Sequence, residues 1–215
     1  PGQTISKITY LLKDADDIEI DTDLFCKLLA PENYSIKGDE SANYTKDGSQ
    51  IKFEITSDDS KYSIGRIVSK KKDVDIANVK EDNGTLNLPK DFVPGKYQFI
   101  FTNDKYADLN FTAVINSNLN AEQFHFENNA LKLDENEAGL TVKDYISAIT
   151  YAKVNDTEYK GGKGRKFGKV AFNEDGSINL DAKYSSDGKD EPVFADAGTY
   201  IVVLKADGYP DLTIE

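Results

Sequence analysis

The chain repeats itself, and that repetition constrains its fold more than any other feature. Ile5-Ser6-Lys7-Ile8-Thr9-Tyr10 returns as Ile146-Ser147-Ala148-Ile149-Thr150-Tyr151, and Glu81-Asp82-Asn83-Gly84-Thr85-Leu86-Asn87-Leu88 returns as Asn173-Glu174-Asp175-Gly176-Ser177-Ile178-Asn179-Leu180. Phe92-Val93-Pro94-Gly95-Lys96-Tyr97 is answered by Phe194-Ala195-Asp196-Ala197-Gly198-Thr199-Tyr200 with one extra residue, and Tyr106-Ala107-Asp108-Leu109 by Tyr209-Pro210-Asp211-Leu212. Matches that keep their order along the chain point to two copies of one module. Its 215 residues then divide into modules expected at 1–116 and 117–215, meeting near Ser117, each long enough for a small core of its own.

Most segments alternate polar and apolar residues with the two-residue period of half-buried strands. Thr4 to Leu12, Ile51 to Ile55, Tyr97 to Phe101, Leu109 to Ile115, Ile149 to Val154, Lys169 to Phe172, Thr199 to Leu204 and Leu212 to Ile214 read this way. Asp47-Gly48, Asn83-Gly84, Asp175-Gly176 and Asp187-Gly188 separate strands with the residues that tolerate the positive φ of tight hairpin turns. Many short strands joined by such turns predict an all-β fold of two tandem, Ig-like β-sandwich modules.

Leu24, Phe25, Leu28 and Leu29 fall at helical spacing, with Asp21, Thr22 or Asp23 to cap the start and Pro31 to stop it, so a short helix is expected there. Ile5 to Leu88 spans far more chain than Ile146 to Leu180, which assigns the first module an insertion at about 21–79 containing that helix. The second module lengthens another stretch, Asp181 to Val193, and Asn116 to Asp144 reads as a hairpin turning at Asn128-Asn129. Shared strands with unequal loops are the pattern of a scaffold whose loops carry its binding differences.

A composition 39% hydrophobic and 30% charged is that of a folded globular chain, and no apolar run reaches the ~20 residues of a membrane helix. The net charge of -12 argues against nucleic acid and against acidic lipid, while leaving basic proteins and cations open as partners. One cysteine, Cys26, permits no internal disulfide. The chain has no methionine and stops inside an expected strand, so it is expected to be a piece of something longer.

Few residues could carry chemistry. His125 is the only histidine and stands between Phe124 and Phe126, so on a strand it faces away from them. No nucleophile pattern accompanies it, and no catalytic residue is assigned. One His and one Cys cannot make a usual zinc site. The acidic runs Asp14 to Asp23 and Asp134 to Glu137 lack the glycine and terminal glutamate of a calcium loop, so they read as solvated edges. No metal site and no cofactor are therefore assigned, although a tyrosinate remains a conceivable haem ligand. The outlier is Lys160 to Lys169, a glycine-rich basic loop in an acidic protein. It is not a phosphate-binding loop, because Lys163 stands where that motif needs glycine and Val170 where it needs Ser or Thr. Tyr159, Lys163, Arg165, Lys166 and Phe167 are the expected partner contacts, with Phe167 an aromatic in a cationic setting.

The second copy runs Asp144-Tyr145-Ile146, Ile149-Thr150 and Val154-Asn155-Asp156-Thr157-Glu158-Tyr159, then Phe194, Gly198-Thr199-Tyr200 and Lys205-Ala206-Asp207-Gly208-Tyr209-Pro210-Asp211. This resembles the hemoglobin-interacting domain (HID) family of Gram-positive bacterial cell-surface proteins, whose modules include those of the streptococcal haemoprotein receptor. The sequence departs from the family at Asp156, where glycine is usual, and at Tyr151-Ala152-Lys153, where the family is more apolar. The resemblance is good over the last third of the chain and reaches the first copy only at its two ends. It implies a non-enzymatic, extracellular module at the cell wall or cell surface that binds a host protein, with haemoglobin the candidate. A structural stalk or spacer of a surface adhesin, and a glycan-binding module using aromatics such as Tyr184, stand as alternatives.

Overall fold

The computed structural model describes residues 8–13, 19–24, 30, 32–57, 61–70, 72–160, 171–186 and 189–215. The first strands, β1 (Ile8–Lys13) and β2 (Glu19–Leu24), pair only with each other. The chain then enters a two-sheet sandwich. In order come β3 (Ser35–Gly38), β4 (Ser41–Asn43), β5 (Ser49–Thr56), β6 (Ser63–Ser69), β7 (Lys72–Val74), β8 (Lys80–Asp82), β9 (Thr85–Leu88), β10 (Gly95–Thr102) and β11 (Leu109–Asn116). One sheet has the order β4-β11-β10-β6-β7 and the other β3-β5-β9-β8.

Alternation decides which side chains meet between the sheets. Along β5, Ile51 is fully buried and Phe53 partly, while Lys52 and Glu54 face water. Along β10, Tyr97, Phe99 and Phe101 point inward. The Phe53 and Phe101 rings lie 4.7 Å apart, which brings the two sheets face to face.

The second half opens with a 3-10 turn, Ala121–Gln123, closed by a reciprocal capping box between Asn120 and Gln123. It continues with β12 (Phe124–Glu127), β13 (Ala130–Leu133), α1 (Val142–Ala148), β14 (Ile149–Val154), β15 (Thr157–Lys160), β16 (Lys183–Ser186), β17 (Lys189–Pro192), β18 (Val202–Ala206) and β19 (Leu212–Ile214). Its main sheet is β15-β14-β18-β19. The β12-β13 hairpin is extended by the single bridges Ala130↔Ser177 and Phe172↔Ile178. Leu131, Tyr145, Ala152, Phe172 and Leu204 fill the space between these layers.

The same order therefore occurs in both halves: β7-β6-β10-β11 in one, β15-β14-β18-β19 in the other. One repeat carries a matching contact. The Phe53 N–H donates to the Gly84 carbonyl at 2.7 Å, and the Leu131 N–H to the Gly176 carbonyl at 2.8 Å. Gly84 (φ 74) and Gly176 (φ 88) both sit in the left-handed region that their tight turns demand. A Cβ on Gly176 would lie 2.2 Å from the Leu131 carbonyl oxygen, and one on Gly84 2.8 Å from that of Phe53.

Three expectations bear on this topology. The opening match does not carry into the sheets: β14 lies beside β18, but the place beside β10 belongs to β6, while β1 pairs with β2 alone. The segment 21–79, expected as an insertion, supplies β3 to β7 as strands of both sheets. Only Ile-Thr-Tyr of this motif is strand in both halves, since Ile146 to Ala148 end α1, so its recurrence marks the strand propensity of those three residues and not an equivalent place. Finally, Asp21, Thr22, Asp23 and Leu24 belong to β2, and residues 25–29 of the expected helix lie outside the described residues. The α-helix among the described residues is α1, in the other half, started by Thr141 and Asp144 exchanging hydrogen bonds as a capping box.

Candidate partner-binding face

The two halves differ most where the second carries extra chain. Between β7 and β8 lie only residues 75–79, whereas β15 is followed by 161–170 before Ala171 and Phe172 turn back into the core. Between β9 and β10 lie 89–94, whereas 181–199 form the β16-β17 hairpin and a further loop. The second of these excursions meets β15. Tyr159, the penultimate residue of β15, packs edge-on against Tyr184 of β16 with ring centroids 4.9 Å apart and planes at 79°. Such an edge-to-face pair fixes the hairpin against the strand that launches the basic segment. Burial, with Glu191 and Tyr184 nearby, pushes the Tyr159 hydroxyl pKa above its ordinary value. It stays a neutral phenol at physiological pH.

Tyr159, expected among the contacts, is thus 6% exposed and is turned against Tyr184 rather than to solvent. Lys163, Arg165, Lys166 and Phe167 lie outside the described residues. Tyr184, the aromatic singled out for sugars, is partly buried against Tyr159. The residues beside this pair that project to water are Lys183, Asp190 and Glu191 of the hairpin. Sequence reasoning recognised 181–193 as a long loop and placed a tight turn at Asp187-Gly188, and β16 and β17 pair on either side of it.

The rest of the second excursion walls a cleft of about 580 Å³ lined by Phe126, Phe172, Leu180, Phe194 and Tyr200. Phe194 and Tyr200 pack at 90° and 5.1 Å. The Tyr200 hydroxyl donates to the Asp196 carbonyl at 2.6 Å, as the Tyr97 hydroxyl donates to the Val93 carbonyl at 2.7 Å. Each is a tyrosine at the mouth of a strand tied to backbone four residues upstream, a device that closes corners in sandwich folds.

His125 faces solvent on β12 with its Nδ1 3.4 Å from an Asp134 carboxylate oxygen, while Phe124 turns inward. Asn136 accepts from the Leu140 N–H and donates to the Leu140 carbonyl, so this acidic run is organised as a turn. Cys26 lies outside the described residues. Among the described residues no three His, Cys, Asp or Glu side chains gather as metal ligands do, and no helix is long and apolar enough to cross a membrane.

Residues 125–215 match the family model described as "Heme-binding protein Shr-like, Hb-interacting domain". This stretch is thus similar to that family. The Hb-interacting domain so bounded contains both excursions, the Tyr159–Tyr184 pair and the cleft, while β1 to β11 fall outside the match. No curated protein matches the chain. Among solved structures, the chain is similar to extracellular domains 3–5 of Drosophila OTK, at 13% identity and a TM-score of 0.34, over 87% of this chain and 67% of that one. At that score the likeness carries no argument, and the all-β assignment rests on the sheets themselves.

Proposed function

We propose that this chain is a non-catalytic, extracellular binding segment of a Gram-positive bacterial surface protein, and that its Hb-interacting half engages a host protein, with haemoglobin the candidate. The contact surface is the basic segment 160–169, bearing Lys163, Arg165, Lys166 and Phe167, together with the β16-β17 hairpin. The observation that carries this reading is the packing of Tyr159, on the strand that runs into the basic segment, against Tyr184 of the β16-β17 hairpin, within the stretch that matches the Hb-interacting domain model. Rigid strands that position long, chemically distinct loops are how such scaffolds bind. The residues 1–116 and 117–215 are proposed as two copies of one module, of which only the second carries these excursions.

Opposite charge speeds encounter and makes affinity depend on salt, while an aromatic anchor sets the lifetime of the complex. The test is biolayer interferometry of the full chain against haemoglobin at low and high salt. Replacing Lys163, Arg165, Lys166 and Phe167 together by alanine should weaken binding at least tenfold and flatten its salt dependence. Unchanged affinity removes the segment from the contact surface. Absence of binding by the unaltered chain instead favours the stalk reading.

A further inference from the structure

The end of the first sandwich is covered by a turn from the second. Ser117, where the chain passes from one half to the other, is 3% exposed, and its N–H donates to the Gly208 carbonyl at 2.7 Å. Gly208 lies flat on foreign backbone: a Cβ there would stand 2.2 Å from the Ile115 carbonyl oxygen and 2.7 Å from the Gly95 nitrogen. Its φ of 81° is the left-handed conformation that glycine adopts without strain. No other residue type fits both the turn and the approach.

The next residue extends the contact into both cores. Tyr209 is 9% exposed and packs at right angles on Tyr145 of α1, 5.5 Å between centroids, and Tyr145 in turn meets Phe124 at 4.8 Å. On the other side stand Tyr44 and Tyr97 of the first sandwich. With Asp144 they add to the burial that pushes the Tyr209 hydroxyl pKa upward. Lys70, in the turn between β6 and β7, donates its Nζ proton to the Ser147 carbonyl of α1. One hydrophobic cluster consequently runs through both halves.

The corresponding turn of the first half is built differently. There Lys105-Tyr106 replaces Gly208-Tyr209, and the Asn103 side-chain oxygen accepts from the N–H groups of both Lys105 and Tyr106. The glycine version thus appears at the turn that must lie against another module.

We infer that the Asp207–Pro210 turn is a docking plug that locks the second sandwich onto the end of the first, making the described residues of both sandwiches one rigid body. The face around Tyr159 and Tyr184 is then displayed at a fixed orientation to the preceding module. This holds whatever the ligand is, and so goes beyond the proposed function.

The test is ¹⁵N NMR relaxation on the full chain. A single rotational diffusion tensor should fit the amides of both sandwiches, and two independent tensors overturn the inference. Gly208→Ala should split the single tensor into two while both halves keep dispersed spectra. If that variant unfolds the second half through its own turn, Ser117→Pro, which removes the donor from the opposite side, takes its place. A single tensor retained in whichever variant stays folded overturns the plug. Tyr209→Phe should leave the tensor single, because the Tyr209 hydroxyl makes no hydrogen bond, and a split there would overturn the role given to ring and backbone.

Discussion

The first sandwich spends its chain on closing its core, and the second on loops. The repeated sequences make the contrast sharp. Leu88 ends β9 and is 3% exposed, whereas Leu180, at the same place in the repeat, is 66% exposed beside the cleft. β8 and β9 form a ladder of three residue pairs, whereas their counterparts meet in the single bridge Phe172↔Ile178. Core volume is also redistributed. Gly38 sits opposite Phe53, and a Cβ there would strike the Phe111 ring. At the matching place opposite Leu131 stands Phe126, which lines a cavity with Ile214 where the first half has the larger Phe111. A small and a large residue have exchanged sides across the core, which keeps volume roughly constant. One framework therefore tolerates either a closed surface or two long excursions, as long as the inward strand positions stay filled.

The comparison can be broken hardest in the first core. Phe101→Ala, at a fully buried ring tilted against Phe53 and stacked on Phe111, should cost about 3–5 kcal/mol in urea unfolding. A loss below about 1 kcal/mol would mean that the two sheets do not share a packed interior. Next comes the repeat pair itself. Leu88→Ala should cost about 2–5 kcal/mol, and Leu180→Ala less than about 0.5 kcal/mol. Equal losses in the two variants would show that Leu180 is buried in solution and would remove the contrast.

Alkaline titration tests the buried tyrosines. Burial, aided by Tyr44, pushes the Tyr97 hydroxyl up to about 12 from an ordinary 10.0. The unfolded chain releases this proton first, so the stabilisation is complete below pH 10 and is lost as pH rises toward 12. The slope is about 1.4 kcal/mol per pH unit for this one group. Burial raises Tyr145 and Tyr209 as well, which extends the decline in the same direction. Stability that stays flat from pH 9 to 11 would contradict the buried cluster.

The smallest effect separates the two corner tyrosines. Tyr97→Phe should lose about 0.5–1.5 kcal/mol, the net value of a hydrogen bond to backbone, and should also lessen the alkaline slope. Tyr200→Phe should lose less, because its bond to Asp196 is exposed. Thermal or urea unfolding of the pair ranks them, and a larger loss at Tyr200 would reverse the proposed division between a closed and an open corner.

Part of the fold is legible in the residues themselves. The alternation at Ile51 to Ile55, Tyr97 to Phe101 and Ile149 to Val154 marks strands, because period two survives wherever one face is buried. The glycine turns at Gly84 and Gly176 are equally plain, since positive φ restricts the choice of residue. The capping box Thr141-Val142-Lys143-Asp144 is present in the sequence but precedes a helix too short to show a period of 3.6 residues. The candidate face is half legible. Its charge stands out at Lys160 to Lys169, but the role of Tyr159 does not, because a strand tyrosine reads alike whether it faces a partner or another ring.

By itself the sequence determined the local choices: strand faces, turn positions and which loops grew long. Each of these depends on a few neighbouring residues. The tertiary structure alone decided which strand stands beside β10, that Tyr159 of β15 meets Tyr184 of the hairpin, and that Gly208 rests on Gly95 and Ile115. Those facts depend on groups far apart in the chain approaching one another, and no local pattern records such an approach.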